Sequence, residues 1–203
     1  MKENQSRDRR IVRTRSMICD AFLVILNKKT YDEISIVDIA DQANINRSTF
    51  YAHFIDKEDL LQKMIAEQID MLKESIRGVT DSTRFAPSFT TPDPVFLTLF
   101  EHASRHDPFY RVMLLRTSAG VFRSQLNEVI REGFFVRLSR LDLEQKLQVP
   151  LDILLDYVSF STSGIMVKWL SDNKVYSPHH MALQLTRMAL IGVYSSMGAS
   201  GQA

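Results

Sequence analysis

Residues Ile36 to Lys57 read IVDIADQANINRSTFYAHFIDK, and this stretch decides the fold. Ile36, Ile39, Ala40 and Ala43 fall at the i, i+3, i+4, i+7 spacing of a two-turn amphipathic helix, and Ser35 with Asp38 has the form of a capping box at its start. Asn44 tolerates the left-handed backbone of a sharp helix exit. A second start follows at once: Asn46 reads as an N-cap, with Ile45 and Phe50 placed as a hydrophobic staple, and the device repeats with Asp56 as cap, Ile55 and Leu60 as staple and Asp59 at N3. Two short helices at a fixed angle, followed by a third, make a helix-turn-helix.

The second short helix points Phe50 and Phe54 at a core and leaves Arg47, Ser48, Thr49, Tyr51 and His53 to project elsewhere. No acidic residue interrupts Asn46 to Ile55. Such a donor-rich surface suits base edges and phosphates. By pattern alone, an ordinary surface helix of a helical bundle remains open beside a DNA-reading head, because any pair of short helices shares this periodicity.

Ala40 in the first helix, Thr49-Phe50-Tyr51-Ala52-His53-Phe54 in the second and Lys57 opening the next make the stretch similar to the DNA-binding domain of the tetracycline-repressor (TetR) family of bacterial regulators. The turn position that usually holds Gly in that family is Asn44 here. The resemblance implies that Tyr51, His53 and Lys57 contact DNA, Lys57 at a phosphate. With the donors of Arg47, Ser48 and Thr49, and with Ser35 at the head of the first motif helix, these form the expected DNA-binding set.

Around the motif, the bulk properties fit one large or two small domains: 203 residues, 45% hydrophobic and 24% charged, with a net charge of +1. Cys19 is the only cysteine, the start is not a signal peptide, and no apolar run approaches the ~20 residues of a membrane span. A reducing cytoplasm is expected, with no membrane partner. Lys2, Arg7, Arg9, Arg10, Arg13 and Arg15 against Glu3 and Asp8 give the first fifteen residues a basic excess. This N-terminal arm either lies along DNA or is a solvated terminus. Ile11, Ile18, Phe22, Ile25 and Leu26 define a first helix packed behind the reading pair.

Leu61, Ile65, Ile69, Leu72 and Ile76 predict a connecting helix over 56–78, stopped at Gly78. A surface loop is expected from Val79 to Thr91. Asp93-Pro94, Asp107-Pro108 and Ser177-Pro178 each place a capping residue before a proline, the arrangement that opens a helix, and Pro150 opens another. Phe122, Leu126, Val129, Ile130 and Gly133 share one face of a helix running to about Leu141. The expected fold is all-α, with a helix-turn-helix domain over 1–57 joined by the 56–78 helix to a ligand-binding and dimerisation domain over 79–203.

The sequence holds no Gly-rich phosphate loop and no nucleophile elbow. Cys19 reads as a small core residue. Adjacent His179 and His180 point about 100° apart on a helix and make a poor metal site, His102 and His106 straddle a helix end, and Asp142 and Glu144 beside Arg140 and Lys146 read as a solvated helix end. No metal, cofactor or catalytic group is expected, and the chain is not expected to be an enzyme.

The reading is a DNA-binding transcriptional regulator, a repressor released from a pseudo-palindromic operator on double-stranded DNA by a small molecule. A helical interaction bundle or a helical enzyme that shares only the first helices stands as the alternative. The resemblance implies a homodimer through helices near 150–170 and 178–197, although the same faces could complete an intramolecular core. It also implies a cavity lined by Phe96, Phe100, Met113, Phe122, Tyr157 and Ser161, which would suit a largely neutral, hydrophobic effector; each of these residues equally suits a plain core.

Overall fold

A computed structural model of the chain describes residues 2–82, 88–117, 120–140 and 147–196. Most of these residues are helical, and no strand occurs among them. The elements are α1 (Lys2–Leu26), α2 (Ile36–Gln42), α3 (Arg47–Tyr51), α4 (Lys57–Ser82), α5 (Pro94–Arg105), α6 (Asp107–Arg111) running into a π-helical turn (Val112–Arg116), α7 (Gly120–Arg140), α8 (Leu151–Ser171) and α9 (Pro178–Ser196). Asp142, Glu144, Lys146 and Met197 lie outside the described residues, as does part of the expected 79–91 loop. No helix among the described residues is long and apolar enough to cross a membrane.

The chain forms two compact units, Met1–Gln68 with Pro108–Ala119, and Ile69–Asp107 with Gly120–Ala203. α4 therefore passes from one unit into the other within a single helix. The expected 79–203 domain contains Pro108–Ala119. Here its buried Val112, Met113 and Leu114 belong to the first unit, where the π-helical turn packs on α1. That association pairs residues about ninety positions apart, which no local pattern announces.

The first unit is built on Ile18, Phe22, Ile39, Phe50, Phe54, Leu60 and Ile65, all almost fully buried. Its helix starts follow the cap chemistry only in part. Ser35 Oγ accepts from the Asp38 backbone N–H and the Asp38 carboxylate accepts from the Ser35 N–H, so the capping box closes. Asp56 caps α4 by accepting from Asp59 N–H at 2.7 Å, and Asp59 accepts from Ile55 N–H at 3.0 Å. Asn46 occupies the N-cap backbone conformation of α3 but makes no side-chain cap bond. The Ile55–Leu60 staple is not made either: Leu60 is buried while Ile55 is 75% exposed. The exit from α2 does run through Asn44 in the left-handed conformation, at φ 52°.

In the second unit α5 packs chiefly on α9, and α7 on α8. Asp93 caps α5 with Pro94 at the first turn, accepting from Val95 N–H, and Ser177 caps α9 through His180 N–H. Pro150 stands one position earlier than expected, at the N-cap of α8. Two further expectations are corrected. α4 runs through Gly78 to Ser82, because a glycine inside a helix weakens it without ending it unless the backbone turns left-handed. α1 starts at Lys2, ahead of the expected start near Arg9, so the basic N-terminal residues lie on its first turns. Gly133 marks a close approach: a Cβ there would lie 3.0 Å from Ile76 Cγ2 and 3.4 Å from Val95 Cγ1.

Candidate nucleic-acid interface

α3 is only five residues long, so its direction is set by what it buries. Phe50 and Phe54 are 0% and 1% exposed, with ring centroids 5.8 Å apart. Arg15 from α1 and Lys63 from α4 lie over the Phe54 ring at 5.2 and 5.6 Å, which locks the helix between its neighbours. The opposite face is thereby turned outward. Asn46, Arg47, Ser48 and Tyr51 are exposed, and Thr49 and His53 are half-buried. The structure thus gathers Arg47, Ser48, Thr49 and Tyr51 on one short helix with His53 in the turn that follows it, and Tyr51 is 49% exposed and edge-on to Phe50.

Ser35 lies exposed at the start of α2, but its hydroxyl is engaged: it donates to Asp38 Oδ2 at 2.6 Å and accepts from Asp38 N–H at 3.1 Å. Lys29 also binds Asp38, at 2.8 Å. These bonds, Lys29 first and then Ser35, hold the Asp38 carboxyl far below the usual carboxylate range.

Lys57, at the start of α4, is engaged within its own chain. Its Nζ donates to the carbonyls of Tyr31 at 2.8 Å, Ile34 at 3.0 Å and Asp32 at 3.5 Å, and lies 4.5 Å from the centre of the Tyr31 ring. The ammonium is turned toward its own chain. Tyr31 and Glu58, missed in the sequence reading, complete this contact, since the Tyr31 hydroxyl donates to Glu58 Oε2 at 2.7 Å. Burial, then that bond, raises the Tyr31 pKa, while the bond lowers that of Glu58. A tyrosine five residues before a helix start carries no local signal of this role.

Of the basic N-terminal residues, Arg9, Arg10 and Arg13 are exposed on α1. Arg15 is bound to Glu67 at 3.1 Å. Cys19 has its pKa pushed up to about 11, mainly by burial, which leaves an unreactive thiol.

The expected cavity residues do not share one environment. Phe96, Phe100 and Phe122 are buried core side chains of the second unit, Phe96 against Phe134 at 4.8 Å and Phe100 edge-on to Trp169 at 5.1 Å. Tyr157 is 55% exposed on α8, and Ser161 spends its hydroxyl on the Tyr157 and Val158 carbonyls. Met113 belongs to the first unit. A groove of about 770 Å³ in the second unit is lined instead by Lys73, Glu128, Arg131, Glu132, Phe135, Leu151, Asp152 and Leu155. The local reading missed it because its wall combines α4, α7 and α8. His102 and His106 do face each other, with ring centroids 4.5 Å apart, but no group of three or more metal-binding side chains occurs among the described residues.

Residues 18–64 match the family model described as bacterial regulatory proteins, tetR family, and residues 90–190 match that of a transcriptional regulator C-terminal region. An uncharacterized HTH-type transcriptional regulator of Bacillus subtilis, YxbF, is 51% identical over 76 residues, covering 35% of this chain and 20% of that protein. This chain thus spans about a fifth of that relative's length. The HTH-type transcriptional repressor KstR2 of Mycobacterium tuberculosis is 24% identical over 179 residues, 78% of this chain and 82% of the repressor. Among solved structures, the fatty acid degradation regulator FadR of Bacillus halodurans superimposes with a TM-score of 0.71 at 17% identity, over 89% of this chain and 96% of that one.

Proposed function

The chain belongs to the tetR family of bacterial regulatory proteins, and from that premise we propose that it is a homodimeric repressor whose α3 reads a pseudo-palindromic operator and which a small molecule releases. The observation that carries the DNA-reading part is the face of α3. Four exposed polar side chains, Asn46, Arg47, Ser48 and Tyr51, stand together on a helix anchored from behind by Phe50 and Phe54, with no carboxylate among them. Half-buried Thr49 and His53 adjoin it in sequence, and exposed Ser35 stands at the start of α2. A helical enzyme or interaction bundle offers no reason for it.

Dimerisation is supported by the second unit. On α8 the exposed residues Ile153, Tyr157 and Phe160 are 59%, 55% and 62% accessible and recur with Gly164 at helical spacing. On α9, Met188, Leu190 and Ile191 are also exposed. Stripes of this kind mark contact surfaces, and a second copy of the chain supplies matching ones. Two heads also double the phosphate and base contacts, which a single five-residue reading helix needs for specificity.

Release by an effector is supported by chain connectivity. The polypeptide passes between the two units at 68–69, 107–108 and 119–120, so a ligand that binds the second unit unequally in two states can bias the head. FadR, similar in fold, is named for fatty acid degradation, and an effector with a long apolar body is the class proposed here.

The test is binding of the full chain to the DNA upstream of its own gene, titrated with salt and with random-sequence competitor. Specific binding with a steep salt dependence supports the reading, and equal affinity for competitor sinks it. Apolar and charged metabolites are then screened by thermal shift, with DNA release as the second readout. Stabilisation by charged compounds alone removes the apolar effector.

A further inference from the structure

We propose that Lys57 serves DNA binding as a positioning residue: its ammonium fixes the Tyr31–Ile34 turn, and through it the capped start of α2, without neutralising a phosphate. The inference rests on the reading of α3 as a DNA-reading helix.

An ammonium carries three N–H donors, and this one has three carbonyl acceptors within reach, those of Tyr31, Asp32 and Ile34. The Tyr31 ring lies 4.5 Å away and adds a cation–π contact. The carbonyls belong to the irregular turn between α1 and α2, outside any helix ladder, and that of Tyr31 also accepts from the Ile34 N–H at 3.3 Å. The neighbouring side chain, Glu58, accepts from the Tyr31 hydroxyl. Two consecutive α4 residues thus hold Tyr31 at its backbone and at its phenol. The Tyr31 ring in turn stands edge-on to Phe22 of α1, which is fully buried.

The turn delivers the chain to Ser35, whose capping box begins α2. The contact therefore links the first turn of α4 to the first residue of the reading pair. Lys57 is also the first residue of α4, where the helix dipole disfavours a cation. Turning its charge onto backbone carbonyls relieves that conflict. Swinging out to a phosphate would take this donor from the part-buried Ile34 carbonyl and leave that of Tyr31 with the Ile34 N–H.

The experiment uses the full chain and the tightest duplex that the wild type selects from a random library, and compares Lys57→Met, Tyr31→Phe and the double variant well below the melting temperature of each. Tyr31→Phe changes no charge and keeps the ring, so it tests the clamp even if Lys57→Met folds poorly. Expected for Lys57→Met is roughly ten-fold weaker binding to all duplexes with an unchanged salt slope. Tyr31→Phe weakens binding in the same way, and the double variant loses less than the product of the two. A slope that falls by about 0.9 per head in Lys57→Met identifies a phosphate contact and overturns the proposal. Folded variants that bind as the wild type does overturn it as well, by reducing the contact to fold stability. Failure of the wild type to select any duplex is a different result, which removes the DNA-binding reading and this role with it.

Discussion

Arg47 is the first residue of α3, exposed, on a helix whose buried face is fixed by Phe50. Its guanidinium is suited to bidentate recognition of a guanine edge or to a phosphate, and Arg47→Ala is expected to cost about 1–3 kcal/mol of operator affinity with relaxed preference at one base pair. Selection from a randomised duplex library checks it; unchanged affinity and unchanged preference would take Arg47 off the interface. Gly133 makes the corresponding prediction for stability. Its missing side chain leaves room for Ile76 and Val95, both buried, so Gly133→Val should lower unfolding free energy by roughly 1–3 kcal/mol through overpacking. Denaturant unfolding measures that loss, and a variant as stable as the wild type would show that Ile76 can yield. Arg47 was legible in the sequence because exposure on a short helix follows from where its phenylalanines fall. Gly133 was legible only as a member of an apolar face; that another helix comes within touching distance is a tertiary fact.

Among the elements, the head is tied together by carboxylates at its helix starts and in the turn before α2. Glu33, Asp38, Glu58 and Asp59 all have pKa values lowered, Glu33 mainly by Thr30, Asp38 by Lys29, Glu58 by Tyr31 and Asp59 by Lys63. A carboxylate whose folded pKa lies below its unfolded value contributes stability above the unfolded value and loses it as pH falls through the folded one. The first unit should therefore hold its stability down to about pH 5 and lose it progressively through and below pH 4, the ordinary carboxylate range. All four groups are at the surface, so salt should blunt the effect. Far-UV circular dichroism melts between pH 3 and 6 test it, and a head equally stable at pH 3 and 6 would contradict it. The capping box at Ser35 and the side-chain cap at Asp56 could each be read from four consecutive residues. The missing Asn46 cap and the open Ile55 staple could not, since a side chain able to cap is free to do otherwise.

For the whole molecule, two predictions concern the second unit. His102 is buried on α5, and burial, with His106 and Arg105 adding to it, brings its pKa down to about 4. The unfolded chain thus binds this proton more readily, and the native state loses stability as pH falls from about 6.5 toward 4. His102→Gln should flatten that part of the curve, visible as a melting temperature that changes less between pH 7.5 and 5; an unaltered pH profile would assign the effect elsewhere. The exposed α8 stripe predicts quaternary structure. Phe160→Glu should convert a dimer into a 23.4 kDa monomer in light scattering at micromolar concentration and weaken operator binding by an order of magnitude or more, because the two heads would then bind independently. A wild-type chain that is monomeric with and without DNA would remove the dimer.

By itself the sequence determined the helices and the character of the reading head. Helical periodicity, cap residues and prolines act over a few positions, and the phenylalanine spacing of 46–57 forces polar residues outward whatever lies behind them. Only the tertiary structure decided which elements share a core. It drew residues 108–117 to the first unit, brought the Lys57 ammonium onto three carbonyls of its own chain, and placed Phe96, Phe100 and Phe122 in packed interior while leaving Tyr157 outside. Each of these outcomes depends on residues from about twenty to about a hundred positions away, and apolar side chains carry no mark of which partner will cover them. A lysine likewise reads the same on paper whether its charge meets a nucleic acid or its own backbone.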